Sequence, residues 1–495
     1  MKKYIKITPM DNVVIALKDL NKGSVIEVDD HKIKLLDFIP QGHKVAIIDI
    51  SKDEGIIKYS LPIGAATKNI LTGSHVHVHN ITTCLGDIKE YTFTPEYSEV
   101  SINIPEKKIN VYKRKNGSVG IRNEIWIVPT VGCVNAMGNQ MIQKFTRESN
   151  TEDIDGIYIF PHNYGCSQMG DDHESTVKIL SDITLHPNAG GVLILGLGCE
   201  NNQINDFIKT LGSYDKKRIR TLIIQDVEDE VEEGAGILKE IYDTVKNDRR
   251  ESMSISNLKI GLKCGGSDGL SGITGNPLLG AFSDYLTYFG GTTVLTEVPE
   301  MFGAETILMN RAKDGETFEK IVKLINDFKN YFKSHNQVIY ENPSPGNKNG
   351  GITTLEDKSL GCTQKAGNSK VIDVINYGDM LKMDGLNLLS GPGNDMVAAT
   401  ALGASGCHMV LFTTGRGTPY GTFVPTVKIS TNSELYSKKS NWMDFNAGTL
   451  VEDKDMENLL VEFIDFIVKI ADGQKVRNEI NNFREIAILK SGVTL

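Results

Sequence analysis

Residues 191–211, GVLILGLGCENNQINDFIKTL, decide the fold class of this chain. An apolar run over 191–196 predicts a strand, a glycine-rich loop follows it, and the spacing of apolar residues over 203–211 predicts a helix. A strand that is followed by a helix, when the unit is repeated, indicates a parallel α/β sheet.

The same unit recurs on both sides of that stretch. EIWIVPTV at 124–131 precedes a helical stretch that runs through residue 147, and GIYIF at 156–160 and TLIIQ at 221–225 are further predicted strands. We therefore predict a central α/β domain over residues 108–252.

A second α/β domain is predicted over residues 253–495. LKIGL runs into KCGGSDGLSGITGNP, TTVLT at 292–296 runs into EVPEMFGAE, and CHMVLF at 407–412 runs into TTGRGTPYG. The distinctive residues follow each strand directly, and open α/β sheets bind ligands at the carboxyl ends of their strands.

The N-terminal part has a different pattern. Short predicted strands at 45–50, 56–60 and 75–79 are separated by Gly, Asp and Pro, which predicts a small β-rich domain over residues 1–82. Residues 83–107 have no clear periodicity and are predicted to be a linker.

Bulk composition excludes several classes of protein. The 495 residues are 40% hydrophobic and 23% charged, as in globular proteins, and the net charge of −10 with no basic block argues against a nucleic-acid partner. No apolar run approaches the ~20 residues of a membrane span, and the first residues do not resemble a signal peptide. We therefore expect a cytoplasmic chain whose seven cysteines form no disulfides.

Three histidines alternate with valine in HVHVH, residues 75–79. On a strand, His75, His77 and His79 would share one face. One interpretation is an exposed polar face, and the other is a divalent metal site, since imidazole binds iron, zinc and manganese. Neighbouring same-face positions are ~6.5–7 Å apart, so two of them can share an ion only with a twist or bulge.

Cysteines also follow predicted strands. Cys166, Cys199 and Cys264 each lie in a glycine-rich turn. They are either buried apolar side chains or thiolates for iron, mononuclear or clustered. In a cluster, three thiolates would leave one iron open to a substrate hydroxyl.

Other polar residues of these loops are candidates for substrate binding and acid–base catalysis. Arg416 lies in GRGTPYG, where it can bind a carboxylate through two hydrogen bonds. Lys365, Glu297 or Glu300 can act as the general base if burial shifts its pKa towards neutrality. The remaining candidates for substrate binding are Ser267, Asp268, Asn276, Asn347 and Lys348.

Several longer motifs make the chain recognisable. They are RKNGSVGIRNEIWIVPTVGCVN at 114–135, YGCSQMGDDH at 164–173, GLGCENN at 196–202, CGGSDGLSGIT at 264–274, GGTTVLTEVPEMFGAE at 290–305, NPSPGNKNGGITTLEDKSLGCTQKAG at 342–367, FTTGRGTPYG at 412–421 and the terminal KSGVTL. With these motifs, the chain resembles the altronate and galactarate dehydratase family nearly from end to end. HVHVHN, YGCSQ and LGCTQ resemble the altronate-type branch.

The resemblance implies an α/β fold in which a small N-terminal β-rich SAF-type domain precedes two Rossmann-like regions with mostly parallel sheets. It also implies iron-linked dehydration of an aldonate or aldarate to a 2-keto-3-deoxy acid. Fe2+ is the first candidate for the divalent metal, Mn2+ is an alternative, and an iron–sulfur cluster is a third. The expected partner is a small-molecule sugar acid. Whether the chain forms a homo-oligomer stays open.

Other functions stay open from the sequence. Galactarate dehydration or a sulfolactate lyase reaction can use the same scaffold. A non-catalytic sugar-acid binding protein is a different class, but the sequence has neither a helix-turn-helix pattern nor a basic face of a regulator.

Overall fold

The N-terminal domain is built from short strands. In the computed structural model, which describes residues 3–86 and 90–492, these pack as three small sheets with strand orders β1-β2-β5-β8, β3-β4 and β6-β7-β9. The strands are β1 (Tyr4–Ile5), β2 (Val13–Ala16), β3 (Val25–Val28), β4 (His31–Lys34), β5 (Lys44–Ala46), β6 (Gly55–Lys58), β7 (Leu61–Ala66), β8 (His75–Val76) and β9 (Ile81–Thr82). All pairings are antiparallel, as predicted for a β-rich domain.

The strand predicted over 75–79 is wrong beyond Val76. The buried Asn80 side chain accepts a hydrogen bond from the His77 backbone N–H at 2.9 Å and donates one to the His75 carbonyl at 2.9 Å. These two bonds close a turn, so the three histidines do not alternate along one strand.

The predicted linker packs along the C-terminal region. Residues 90–107 contain neither helix nor strand. Tyr91 nevertheless donates a hydrogen bond to Glu305 Oε1 at 2.6 Å, and Tyr97 donates one to the Ala312 carbonyl at 2.9 Å. The described part of this segment is therefore held along the surface by its tyrosines.

The central region is an α/β unit with a parallel sheet in the order β13-β12-β14-β15. Its strands are β10 (Lys108–Lys113), β11 (Val119–Gly120), β12 (Glu124–Pro129), β13 (Gly156–Ile159), β14 (Ala189–Gly196), β15 (Ile219–Ile223) and β16 (Arg250–Ser254), and its helices are α1 (Asn135–Glu148), α2 (Gly170–Leu185), α3 (Ile204–Thr210) and α4 (Glu230–Val245). β10, β11 and β16 form a separate antiparallel sheet.

The C-terminal region contains a seven-stranded parallel sheet in the order β19-β20-β18-β17-β21-β22-β23. Its strands are β17 (Lys259–Cys264), β18 (Thr292–Leu295), β19 (Val371–Ile375), β20 (Gly385–Leu389), β21 (Met409–Thr414), β22 (Thr426–Ser430) and β23 (Phe445–Asn446). Its helices are α5 (Gly275–Tyr288), α6 (Glu305–Met309), α7 (Gly315–Ser334), α8 (Pro345–Asn349), α9 (Leu355–Thr363), α10 (Asp395–Ala404), α11 (Ser433–Lys438), α12 (Met456–Ala471) and α13 (Arg477–Ile480). The α/β fold class is thereby confirmed.

Both faces of this sheet are covered. Along β21, Val410 packs with Leu402 of α10 in one core, and Leu411 packs with Phe282 of α5 and Phe463 of α12 in another. Because the strands are buried on both faces, they are apolar without alternation.

The last residues return to the central region. Glu485 N–H donates to the Gly421 carbonyl at 2.9 Å, and Ser491 N–H donates to Asp172 Oδ1 at 2.8 Å. Of the terminal motif KSGVTL, the last three residues lie outside the described residues. Within residues 3–86 and 90–492, every helix is too short or too polar to cross a bilayer.

Candidate functional site

The candidate site lies at the carboxyl edge of the seven-stranded sheet. The chain leaves β17 towards β18 on one side, whereas β21 lies on the other side of β17. This reversal of strand order opens a crevice at which α/β sheets bind their ligands. The loop that begins at Gly265 and the loop that begins at Gly415 form the crevice, since Gly415 N–H donates to the Gly266 carbonyl at 3.1 Å.

A cavity of about 360 Å³ lies between this edge and the N-terminal domain. Its lining includes three basic side chains, Arg416, Lys438 and Lys439, and two acidic ones, Asp268 and Glu434, so an anionic group of a ligand would pair with the basic three. The residues that matter here are Gln41, Gly42, Asp268, Arg416, Lys438 and Lys439.

Arg416 lies on the wall of this cavity, and its side chain is exposed. Its guanidinium donates a hydrogen bond of 3.3 Å to the Gly346 carbonyl, which lies in α8. The remaining donors of the guanidinium fork are therefore available to a carboxylate in the cavity.

Asp268 lies at the floor of the crevice, next to Ser267. Its carboxylate accepts hydrogen bonds from Ser271 at 2.9 Å, Thr431 at 2.9 Å and Asn432 at 3.1 Å. Burial raises the pKa of Asp268 above its ordinary value despite these bonds. Asp268 therefore joins the loops after β17 and β22, and its carboxylate also borders the cavity.

The other predicted polar residues have mostly structural bonds. The Asn276 amide nitrogen donates to the Gly361 carbonyl at 2.9 Å, and its amide oxygen accepts a hydrogen bond from the Thr413 hydroxyl at 2.6 Å. Asn347 donates to the Ser267 carbonyl at 2.9 Å. Lys348 is half-buried on α8 and does not line the cavity of Arg416.

A buried cluster of thiols, carboxylates and ammonium groups lies behind this crevice. Cys264 Sγ is 3.4 Å from Cys362 Sγ, and both thiols lie near Glu300 Oε2, at 3.4 and 3.1 Å. Lys365 Nζ is 2.8 Å from Cys264 Sγ and 3.2 Å from Glu297 Oε2. The structure thus brings together the four predicted residues Cys264, Glu297, Glu300 and Lys365.

Two further lysines complete the charges of this cluster. Lys263 donates to Glu297 and, at 2.7 Å, to Asp395. Lys358 Nζ lies 2.6 Å from Glu300 Oε1. Lys358 and Cys362 also line a narrow cleft with Asp268, so the cluster opens towards the crevice through these two side chains.

The two glutamates have different electrostatic environments. Burial, with the neighbouring Glu300 carboxylate, raises the pKa of Glu297. Burial also disfavours the ionised form of Glu300, but Lys358, Lys263 and Lys365 together lower the pKa of Glu300 to about 2. Lys365 is held charged, because Cys264 and Glu297 outweigh its burial and raise the pKa of Lys365.

Glu297 also has a strained backbone. It lies two residues after the end of β18, and its φ of 66° is left-handed, which is unusual for a residue with a side chain. Such conformations cost about 1–3 kcal/mol and are concentrated at functional sites. The conformation places the Glu297 carboxylate on Lys263 and Lys365.

The histidine group differs in composition from the predicted one. His43, His75 and His77 have ring nitrogens within 4.8 Å of one another, and His43 Nδ1 is 3.0 Å from His75 Nε2. His79 is exposed, and its ring lies 5.4 Å from that of His75. Because the chain turns after Val76, His43 from the loop before β5 takes the place predicted for His79.

This group fits a divalent metal. Burial is the main cause that lowers the pKa of His75 to about 4 and of His77 to about 3, so the imidazoles are neutral near pH 7. Within the described residues, His77 Nδ1 is buried and has no hydrogen-bond partner. Neutral imidazole with an unused lone pair is the form that binds metals.

Cys264, Glu300 and Cys362 also lie close enough to share an ion. Three ammonium groups, however, surround them at Lys263, Lys358 and Lys365. This positive charge already compensates the carboxylates, so the histidine group fits a cation better.

The histidine group borders the crevice. His43 Nε2 is 3.2 Å from the Asn349 carbonyl at the end of α8, the helix that contacts Arg416. Gly42, beside His43, lines the cavity of Arg416. The N-terminal domain therefore contributes one wall of the candidate site.

Cys166 and Cys199 are not part of this site. They follow β13 and β14 of the central sheet, whereas Cys264 ends β17 of the C-terminal sheet. The three predicted thiolates therefore do not form one group.

Sequence reasoning missed His43, Lys263, Lys358 and Cys362 as site residues. Cys362 lies in LGCTQK, a glycine-containing stretch like the other cysteine turns, and that similarity could have identified it. His43 and the two lysines have no comparable pattern, because they reach the site only through tertiary packing.

Three family models match the chain. They are the altronate/galactarate dehydratase SAF domain over residues 2–84, the D-galactarate dehydratase/altronate hydrolase second domain over 111–246, and the D-galactarate/altronate dehydratase C-terminal domain over 255–494.

Curated relatives are similar over the whole length. The chain is 57% identical to an altronate dehydratase of Escherichia coli (strain K12) and 56% identical to one of Bacillus subtilis (strain 168), with 100% of each chain covered. It is 32% identical to the galactarate dehydratase (L-threo-forming) of Escherichia coli (strain K12), over 95% of this chain and 93% of the relative.

Proposed function

Because this chain belongs to the altronate and galactarate dehydratase family, we propose that it is a hydro-lyase that converts D-altronate to 2-dehydro-3-deoxy-D-gluconate and water. The observation that carries the proposal is full-length identity of 57% and 56% to two altronate dehydratases, against 32% to a galactarate dehydratase. The cavity of Arg416 beside a buried acid–base cluster supports the same chemistry.

Substrate binding begins at Arg416. The substrate carboxylate would pair with the guanidinium fork, which holds two oxygens and stays charged at neutral pH. Asp268 and the backbone around Ser267 would accept hydrogen bonds from the sugar hydroxyls, since both residues line the cleft between Arg416 and Cys362. Ser267, Asn276, Asn347 and Lys348 remain proposed binding residues.

Loss of water then needs a base at carbon two. The C2 proton is weakly acidic, and its removal places charge on the carboxylate, which Arg416 would stabilise. We assign the base to Glu297, because its raised pKa makes it a stronger base than Glu300. The proton moves from carbon two to a Glu297 carboxylate oxygen.

The leaving hydroxyl on carbon three needs a proton. Lys365 is an ammonium group 3.2 Å from the base and 2.8 Å from the Cys264 thiol, so it can return a proton to the departing oxygen. Glu300 and Lys358 would keep the cluster electrically balanced. The enol that results tautomerises to the 2-keto-3-deoxy acid.

We assign the metal site to His43, His75 and His77, with Fe2+ as the first candidate and Mn2+ as the alternative. His79 lies beside these three histidines and is a candidate for a fourth ligand. A bound divalent ion would supply Lewis-acid stabilisation of an oxygen that gains negative charge.

We expect the chain to act in the cytoplasm on a small sugar acid. Self-association into a homo-oligomer stays open. Galactarate is the second candidate substrate, because a galactarate dehydratase is 32% identical over nearly the whole chain. The two substrates differ in the configuration of their hydroxyl-bearing carbons and in the group at carbon six, which is a carboxylate in galactarate and a hydroxymethyl in altronate.

The test compares altronate, galactarate and sulfolactate, each with and without ferrous iron. We expect a kcat/KM for altronate that is far above those of the other two, with 2-dehydro-3-deoxy-gluconate as product. Equal or reversed constants would overturn the choice of substrate. Tight binding of altronate without turnover under every metal condition would instead indicate a binding protein.

A further inference from the structure

A second group of cysteines lies at the carboxyl edge of the central sheet. Cys133 follows β12, Cys166 follows β13 and Cys199 follows β14, and all three are exposed. These strands are parallel neighbours in the order β13-β12-β14, so their loops leave the sheet at the same edge. Cysteine is ordinarily among the most buried residue types, which makes three exposed thiols at one edge unusual.

The three loops are bonded to one another. Gly132 N–H donates to the Tyr164 carbonyl at 3.0 Å, which joins the loop of Cys133 to the loop of Cys166. Asn202 N–H donates to the Gly165 carbonyl at 3.0 Å, which joins the loop of Cys166 to the loop of Cys199. The relative positions of the three loops are thus fixed by backbone contacts.

Close packing at Gly165 strengthens this arrangement. Its φ is +99°, and a Cβ atom at this position would lie 2.0 Å from the Thr130 carbonyl oxygen. Only glycine lets the loop of Cys166 approach the end of β12 so closely. The approach keeps Cys166 beside the loop of Cys133.

The position is one at which α/β sheets bind ligands. The chain leaves β12 towards β13 on one side and returns to β14 on the other, so the strand order reverses there. α1 begins at Asn135, two residues after Cys133, and α2 begins at Gly170, four residues after Cys166. The positive ends of these two helix dipoles favour negative charge at the thiols.

Three exposed thiols that do not form one compact group are compatible with a ligand of several metal atoms. Among the described residues, these three sulfurs do not all lie within 4.8 Å of one another, unlike the two compact groups of the candidate site. Three ligands of one ion must converge on a point, whereas an iron–sulfur cube takes each thiolate on a different iron atom.

We propose that Cys133, Cys166 and Cys199 bind a 4Fe–4S cluster through three thiolates, each of which loses its proton to solvent when it binds iron. The fourth iron would then lack a cysteine ligand. This site is separate from the crevice of Arg416, and the proposal does not depend on the substrate assigned above.

The test is anaerobic reconstitution of the full chain with ferric iron, sulfide and a thiol, which reduces part of the iron so that the cluster holds two ferric and two ferrous ions, followed by desalting. We expect about four iron atoms and about four acid-labile sulfides per chain, with a brown visible chromophore. Cys133→Ser, Cys166→Ser and Cys199→Ser should each lose most of the sulfide. The matched control is Cys84→Ser, which removes an exposed cysteine outside the group and should keep the wild-type content.

Alkylation of the reconstituted wild-type protein gives a second measurement that needs no variant. Peptide mapping after iodoacetamide treatment should show protection of Cys133, Cys166 and Cys199 and labelling of Cys84. A wild-type protein without acid-labile sulfide, or equal labelling of all four cysteines, would overturn the proposal. Sulfide reports the cluster alone, so failure here leaves the dehydratase assay and the histidine metal site unaffected.

Discussion

Lys44 of the N-terminal domain and Asp357 of the C-terminal domain form a fully buried ion pair, with Lys44 Nζ 2.8 Å from Asp357 Oδ2. Lys58 completes the contact at 3.0 Å from Asp357 Oδ1. Two lysines of one domain therefore share a single carboxylate of the other.

Replacement of that carboxylate should weaken the docking of the two domains. Asp357→Asn leaves two buried ammonium groups without a counterion, and breaking a buried pair costs about 3–5 kcal/mol. We expect a lower unfolding midpoint in urea and faster proteolysis near residue 86. Asp327→Asn is the control, because its pair with Lys323 is exposed and worth under ~1 kcal/mol. Equal effects of the two substitutions would contradict the docking role.

Arg416→Ala should lower kcat/KM for altronate without loss of the fold. Arg416 is exposed, so its loss should cost the ~1.5–3 kcal/mol of a hydrogen bond to a charged group, which is a fall of about ten- to 150-fold. Arg416→Lys should not restore activity, because lysine lacks the planar fork. Steady-state kinetics beside thermal melts measure both effects, with Arg147→Ala as an exposed control. Near-normal kinetics with an early melt would leave Arg416 only its bond to the Gly346 carbonyl.

Glu297→Gln should abolish proton removal. General base catalysis contributes about 10²–10⁴-fold, so kcat should fall by that range, together with exchange of the substrate C2 hydrogen in deuterated water. Glu305→Gln is the matched control: Glu305 is also buried and pairs with a lysine, Lys329 at 3.2 Å, outside the cluster. We expect the two variants to lose similar amounts of stability, but only Glu297→Gln should lose kcat by this range. Retained C2 exchange in Glu297→Gln would move the base to Glu300 or Lys365.

His43→Ala, His75→Ala and His77→Ala should each weaken metal binding. Changes in the surroundings of metal ligands already cost 10–100-fold in affinity, so loss of a ligand should exceed ~100-fold. Competition with a chromogenic chelator measures the affinity for Fe2+ and Mn2+. His31→Ala, an exposed histidine of β4, is the control. Unchanged metal affinity in all three variants would place the ion elsewhere.

Asp182→Asn should stabilise the protein at neutral and alkaline pH. Burial, with Asp379 nearby, raises the pKa of Asp182 from 3.8 to about 8, and its Oδ2 has no hydrogen-bond partner among the described residues. The unfolded chain therefore binds fewer protons than the folded chain between these values, so stability falls as pH rises.

The gain from this substitution should accordingly grow from pH 4 to pH 8, towards the ~1–3 kcal/mol of an unsatisfied buried group. Unfolding in urea at a series of pH values measures this gain in stability. Asp206→Asn, at an exposed position, is the control and should show no such dependence on pH. A gain that does not depend on pH would show that folding does not raise the pKa of Asp182.

The sequence was sufficient for the fold class because local patterns determine the elements. The strand predicted at 156–160 is observed as Gly156–Ile159, and the helix predicted through 147 ends at Glu148. Since the carboxyl ends of parallel strands lie at one edge of a sheet, residues that directly follow these strands could also be predicted to lie near one another. That argument predicts neighbouring positions for Cys264, Glu297 and Glu300, and the three residues are in contact.

The same argument failed where tertiary packing decides. His79 was chosen by period two and lies beside the group, but His43, more than thirty residues earlier, provides the third ring nitrogen within 4.8 Å of those of His75 and His77. Cys166 and Cys264 both follow strands, but these strands belong to different sheets, in line with the two α/β domains predicted over 108–252 and 253–495, so the two thiols do not share a site. Pairing across domains depends on contacts that no local pattern carries.

The buried contact of Asp357 with Lys44 and Lys58 also bears on how the chain assembles. A separate small protein with this interface would have to compensate the loss of translational and rotational entropy on each encounter. Covalent connection turns docking into an intramolecular event with an effective concentration in the millimolar range. Chain connectivity therefore adds to the affinity that the buried contact itself supplies, and it keeps the N-terminal domain beside the crevice.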